Sequence, residues 1–161
     1  MKREIFLQAI IIGVIIGLFL FLGILVDSEV NSCYPDIESS KIIVTKIIDG
    51  DTIIVKGGEK VRLLGIDCDE RGKECYSEAK DFLEQQVLNQ EVRIESEGRD
   101  IYNRQLAYIF LRGRNINLEL VETGFCVARF DQPSNYMDEI KSVESQAIKN
   151  NIGCKWVKGI Q

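Results

Sequence analysis

The stretch from Ile47 to Glu70 reads IIDGDTIIVKGGEKVRLLGIDCDE and leaves little choice of local structure. Two β-rich apolar runs flank Lys56-Gly57-Gly58-Glu59, a segment made of turn-forming residues. The pattern predicts an antiparallel hairpin, which sets the outer ends of its strands side by side. Those ends are acidic, with Asp49 and Asp51 before the first strand and Asp67, Asp69 and Glu70 after the second. Asp51 and Asp67, sixteen positions apart, are therefore expected to face one another, with Arg62 inside the second strand. Carboxylates converging beside a guanidinium suit a hard cation and a phosphate ester. Strict alternation along a strand puts Arg62 on the face opposite Asp67. Both line one site only if the strand bends or ends near Gly65.

The chain ahead of this stretch changes character. After Met1-Lys2-Arg3-Glu4 come 22 residues, Ile5 to Val26, with Gln8 as the only polar side chain. About 20 apolar residues span a bilayer as a helix, whereas the apolar core of a cleaved signal peptide runs to roughly 7–15. No A-x-A-like site precedes Asp27, so residues 1–26 are expected to be an N-terminal transmembrane anchor, with cleavage and secretion as the alternative. Lys2 and Arg3 precede the span, while Asp27, Glu29, Asp36 and Glu38 follow it. The basic side stays in the cytoplasm, which places everything from Asp27 onward outside it. Residues 27–40 read as a polar linker punctuated by Pro35.

From Lys41 the apolar pattern resumes. A first strand carries Ile42, Ile43, Val44, Ile47 and Ile48, and the hairpin follows. Glu74 to Leu88 has a helical stripe of Ala79, Phe82, Leu83 and Val87. Further strands are expected at Glu91–Glu95 and Gln105–Leu111. A short helix capped by Asn115 or Asn117 holds Leu118, Leu120 and Val121 and ends at Gly124. Ser134 or Asn135 opens a last helix with Met137, Ile140, Val143 and Ala147 inward. Five strands and three helices in this order predict an α+β domain over residues 41–161, a small β-barrel with helices packed outside it.

The 161 residues include no histidine. Ser-His-Asp hydrolysis, histidine metal sites and histidine general bases are thereby excluded. Acid–base chemistry falls to carboxylates, Lys, Tyr or Cys. The five cysteines suit an oxidising compartment and leave one unpaired. Cys68 with Cys75 and Cys126 with Cys154 are possible pairings, Cys33 being the odd one, and the sequence leaves the connectivity open.

A second segment, DIYNRQLAYIFL from Asp100 to Leu111, sets Arg104 at the start of a strand after a polar turn. With it the chain resembles the staphylococcal nuclease-like, or thermonuclease, family. The motifs that carry the resemblance run in order: IDGDT at Ile48–Thr52, RLLGID with its glutamate at Arg62–Glu70, D-x-Y-x-R-x-LAY at Asp100–Tyr108, and N-x-x-LV-x-x-G at Asn117–Gly124. The resemblance covers roughly Lys41 to Trp156.

The resemblance implies an OB-type five-stranded barrel and a calcium-dependent nuclease that cleaves DNA and RNA to 3′-phosphate and 5′-hydroxyl ends. It implies Ca2+ held by Asp51, Asp67 and the backbone carbonyl of Cys68. Glu70 is implied as the residue that orients or deprotonates the attacking water, and Arg62 and Arg104 as the clamp on the phosphate. Three positions depart from the family pattern. Asp69 stands in place of a proline, Cys68 in place of a threonine and Asn103 in place of a glycine, although asparagine tolerates a positive φ better than most residues.

Each of these residues has a bland reading when taken alone. Asp49-Gly50-Asp51 can merely shape a turn, Asp67, Asp69 and Glu70 a solvated loop, and Arg62 and Arg104 structural ion pairs. Asp100 reads as a turn or support residue. Charge adds a counterweight. The chain carries 20 basic and 25 acidic residues, and without Lys2, Arg3 and Glu4 it keeps 18 and 24, a net −6. Nucleic-acid enzymes ordinarily rely on basic surface, so affinity here is expected from a local patch around Arg62 and Arg104. The alternative is a non-catalytic nuclease-like module at the cell surface that binds protein or nucleic acid. Such modules have generally lost catalytic positions, and this chain keeps all five charged ones.

Overall fold

The computed structural model describes residues 41–131 and 133–157. The expected Ile5–Val26 span, the 27–40 linker and Cys33 lie outside the described residues. Among the described residues no helix is long and apolar enough to cross a membrane.

In chain order the elements begin with β1 (Lys41–Ile47), β2 (Thr52–Val55), β3 (Lys60–Leu63), β4 (Ile66–Cys68) and α1 (Tyr76–Val87). They continue with β5 (Glu91–Arg99), β6 (Gln105–Leu111), β7 (Arg114–Asn115), α2 (Ile116–Glu122), β8 (Cys126–Ala128) and α3 (Met137–Asn150). β3, β2, β1, β5 and β6 lie side by side in one sheet, and a parallel pairing of β3 with β6 closes it. The result is the expected five-stranded barrel. Closure removes the open edges that a sheet of this size would otherwise present.

Closing so few strands requires strong coiling, and two register slips supply it. One falls between Val44 and Lys46 on β1, the other between Ser96 and Gly98 on β5. An extra residue on one strand bends it and increases its twist. The slip at Thr45 also explains why Val44 and Ile47, three apart, are both buried. The barrel interior holds Val44, Ile53, Val55, Val61, Leu63 and Val92, each at most 1% exposed.

The hairpin at Lys56–Glu59 forms as expected, with Thr52 opposite Arg62 and Gly57 and Gly58 both at positive φ. α1 buries Ala79, Leu83 and Val87 as the helical spacing requires. Asn115 is the cap of α2, accepting from Leu118 N. Asn117, the other candidate, is instead fully buried. The last helix starts at Met137, later than Ser134 or Asn135. Both residues are engaged elsewhere: Ser134 Oγ and the Asn135 backbone N donate to the Glu97 carboxylate of β5. The strand expected at Glu91–Glu95 runs on to Arg99, paired with β6 from Arg93 onward.

The disulfides connect Cys68 to Cys126 and Cys75 to Cys154, which corrects the pairings considered from sequence. Register is the cause. β4 and β8 form a two-stranded antiparallel ladder in which Cys68 lies directly opposite Cys126, their Cα atoms 4.3 Å apart. That is close to the roughly 4.5 Å of a narrow antiparallel pair, well suited to a bridge.

Candidate active site

Asp51 enters the barrel wall from a tight turn. Asp49 Oδ1 accepts from Asp51 N at 3.1 Å, and Ile48 N donates to Thr52 O. Gly50 is required between them, because a Cβ there would lie 2.6 Å from Ala79 Cβ and 2.8 Å from Cys68 Cβ. The turn thus lies against α1 and β4, and Asp51 is 7% exposed. Its Oδ1 accepts from Thr52 Oγ1 at 3.1 Å and its Oδ2 from Cys68 N at 3.0 Å. Arg62 Nη1 is 2.6 Å from the same Oδ2. Burial pushes the Asp51 carboxyl up to about 6, against the lowering effect of Arg62 and the Cys68 amide.

The question of faces raised by strand alternation is answered at Gly65. β3 ends at Leu63 and the chain turns through Gly65, φ +79°, before β4 begins. A Cβ on Gly65 would fall 2.7 Å from the Phe130 ring, so the bend is tightly packed as well as left-handed. The turn brings Asp67 back toward Arg62, whose Nη2 lies 3.3 Å from Asp67 Oδ1. One guanidinium therefore engages both carboxylates. Asn117 fastens this corner: its Oδ1 accepts from Ile109 N, and its Nδ2 donates to Leu64 O at 2.9 Å and Ala107 O at 3.1 Å.

Arg104 reaches the same cluster from β6. Its Nη1 lies 3.5 Å from Thr52 Oγ1, and Thr52 in turn bonds Asp51. Asp100 orients it, accepting from Arg104 Nε at 2.7 Å and from the Arg104 backbone N at 2.9 Å. Slight burial works to raise the Asp100 pKa, but these bonds outweigh it and hold the carboxyl below its ordinary value. Asp100 is thus the support residue expected of it. The loop places Asn103 at φ +62°, the conformation its asparagine was expected to tolerate.

Glu70 is placed differently. It is exposed, two residues past β4, and among the described residues its carboxylate has no hydrogen-bond partner. The segment that carries it is nonetheless anchored. Asp69 Oδ1 pairs with Lys155 Nζ at 2.6 Å and its Oδ2 accepts from Cys75 N at 3.0 Å. The Cys68–Cys126 and Cys75–Cys154 bridges fix its two ends. Desolvation tends to raise the Asp69 pKa, yet the bonds from Lys155 and Cys75 keep it lowered. Asp69, which had no assigned role in the sequence, is a staple to the C-terminal segment.

Three further residues to which the reading from sequence assigned no role join the site. Thr52 links Asp51 to Arg104. Lys155 holds Asp69. Arg129 Nη1 lies 2.9 Å from Asp67 Oδ2. Arg129 and Asp67 are 62 positions apart, and only the pairing of β4 with β8 brings them together. Arg62, Arg104, Arg129, Tyr102 and Phe130 line a groove of about 490 Å³ on this side of the barrel.

Asp51 and Asp67 offer only oxygen donors, which suit a hard cation such as calcium. The single guanidinium between them already marks the spot as one that calls for positive charge. Among the described residues no group of three or more His, Cys, Asp or Glu side chains is gathered to hold a metal. Asp51 and Asp67 are the two carboxylates that Arg62 brings together. The residues present fit the group.

Comparison with known proteins points to one family. The family model described as staphylococcal nuclease homologue matches residues 60–156. A thermonuclease of Staphylococcus intermedius is 32% identical over 162 residues, spanning 93% of this chain and 96% of that protein. A thermonuclease of Staphylococcus hyicus is 37% identical over 123 residues, 68% of this chain and 73% of that one. An uncharacterized endonuclease of Haemophilus influenzae is 29% identical over 131 residues, 78% and 72% of the two chains. The matched span takes in Arg62, Asp67, Glu70 and Arg104 together with the barrel strands that position them, and the chain belongs to the staphylococcal nuclease homologue family.

Proposed function

We propose that this chain is a calcium-dependent nuclease that hydrolyses phosphodiester bonds of DNA, RNA or both, leaving 3′-phosphate and 5′-hydroxyl ends. Arg62 carries this reading: it engages Asp51 and Asp67 together, and Arg104 joins them through Thr52. Family membership and relatives named as nucleases support it further.

Asp51, Asp67 and the Cys68 carbonyl would hold calcium, which would supply a Lewis acid at a phosphoryl oxygen. Arg62 and Arg104 present planar forks that match phosphate oxygens two at a time and favour the charge that builds up in the transition state. Glu70, exposed and without a hydrogen bond to its carboxylate among the described residues, is available to take a proton from water. The water oxygen bonds to phosphorus, the P–O5′ bond breaks, and solvent protonates the departing 5′ oxygen. Asp100 holds Arg104 in position, and Asn117 does the same for the corner that carries Arg62 and Asp67.

The domain is proposed to act outside the cytoplasm, tethered by Ile5–Val26. Its two disulfides support that placement. Protease added to intact cells should reach the domain, and protection inside a sealed membrane would reverse the orientation.

The activity is tested with the full-length chain in mild detergent, given single-stranded DNA or RNA in calcium and in chelator. Cleavage in calcium alone, with 3′-phosphate ends, is expected. A folded chain that binds the strand and never cuts would leave the binding module as the answer.

A further inference from the structure

Arg129 stands in the site, yet the chemistry above does not use it. The chain leaves β8 at Ala128, and Arg129 N then donates to Gly65 O at 2.9 Å, which ties this residue to the bend between β3 and β4. The guanidinium is thereby delivered to Asp67 Oδ2, while Arg62 engages Oδ1. Its side chain is 61% exposed, and an ion pair so open to water contributes little to stability. A purely structural role does not account for it.

Its surroundings point outward. Arg62, Arg104 and Arg129 line one groove, accompanied by the Tyr102 ring, 74% exposed, and by Phe130. At about 490 Å³ the groove exceeds what a single phosphodiester group fills. A domain with a net charge of −6 beyond its first residues must draw its affinity for a polyanion from such local cations. A guanidinium held by a single contact to one carboxylate oxygen can exchange it for the paired oxygens of a phosphate.

We infer that Arg129 is a substrate-binding residue which takes the phosphate next to the scissile one, leaving Asp67 when the strand is bound. The inference deepens the nuclease reading and rests on it for the term scissile. The contact itself requires only that a nucleic-acid strand occupies the groove. The strand then spans two phosphates, one held by Arg62 and Arg104 and the next by Arg129.

The test measures binding of a fluorescent oligothymidylate to the full-length chain in chelator, where no cleavage occurs, across salt from roughly 50 to 200 mM. Arg129→Ala should weaken binding roughly tenfold at the low-salt end. It should also make the slope of log affinity against log salt shallower by about 0.7, the share of one phosphate on a single strand. Arg129→Lys should restore the slope but not the full affinity, and it keeps the measurement informative if the alanine variant does not fold. Lys149→Ala, the same charge change on α3 away from the groove, should alter neither. In calcium, Arg129→Ala should raise KM and leave kcat in place. Wild-type slope and affinity in Arg129→Ala would overturn the inference whether or not the chain cuts. The expected loss of slope in a chain that never cuts would uphold Arg129 and sink the nuclease reading instead.

Discussion

Arg62 Nη1 lies 2.6 Å from Asp51 Oδ2, within a carboxylate that is buried and already bonded to the Cys68 amide. Because burial outweighs Arg62, Asp51 titrates at about 6 in place of the ordinary 3.8. Between those values the folded chain holds a proton that the unfolded chain has released. Stability is therefore fully present below 3.8 and falls as pH rises to about 6. The loss amounts to something on the order of 3 kcal/mol. In chelator, the melting temperature should rise as pH drops from neutral to 5, and Asp51→Asn should flatten that response. Asp69 and Asp100, both lowered, lose their contribution only in more acid solution and cannot mimic it. A wild-type profile in Asp51→Asn would assign the effect elsewhere.

Asn117 satisfies one main-chain N–H and two carbonyls at the corner between β3, β4 and β6. Asn117→Leu keeps the number of heavy atoms and leaves Ile109 N and Leu64 O without this partner, while Ala107 O keeps its bond from Leu64 N. Each buried unpaired group costs about 1–3 kcal/mol, so destabilisation of about 3 kcal/mol or more is expected. Denaturant unfolding measures it. Loss below about 1 kcal/mol would mean the corner is held by packing alone.

Asp69 stands where the family pattern has proline, and from sequence that exchange would be expected to do no harm. The bonds to Lys155 and Cys75 N reverse the expectation. Asp69→Pro removes both, and it should lower the melting temperature by several degrees, as about 1–2 kcal/mol does in a domain of this size. Cleavage should slow as well, because the Glu70 segment loosens. An unchanged melting temperature would show the C-terminal segment to be held by the Cys75–Cys154 bridge alone.

Peptide mapping without reduction should find Cys68 joined to Cys126 and Cys75 joined to Cys154. Recovery of a Cys68–Cys75 peptide would contradict the β4–β8 register.

The barrel strands and three helices were legible because periodicity is a local property. Ile53 with Val55 and Val61 with Leu63 alternate within their strands, and Ala79, Leu83 and Val87 repeat at helical spacing. The hairpin was written in Gly57 and Gly58. What escaped is non-local. β4 and β8 are three residues each, too short to show a period, and Cys68 and Cys126 in their pairing are 58 positions apart. That pairing decides the Cys68–Cys126 bridge and delivers Arg129 to Asp67. The slip at Thr45 escaped for a related reason, since a bulge serves barrel closure and not the strand that contains it. The site residues Asp51, Arg62, Asp67 and Arg104 were expected together; the bend at Gly65 joins Asp67 to Arg62, and Thr52 joins Arg104 to Asp51. Glu70, expected with them, is exposed on the stapled segment that follows β4.

Glu70 therefore gives the most direct measurement of the central claim. Single-turnover cleavage of single-stranded DNA at saturating calcium is compared for the full-length wild type and Glu70→Gln. Glutamine keeps the size of the side chain but cannot accept the proton, and a general base typically contributes about 10²–10⁴-fold. The account predicts a rate lower by roughly that factor, with binding of the strand in chelator unchanged. Equal rates would place the base elsewhere, and a wild type that binds without cutting would contradict the account at its root.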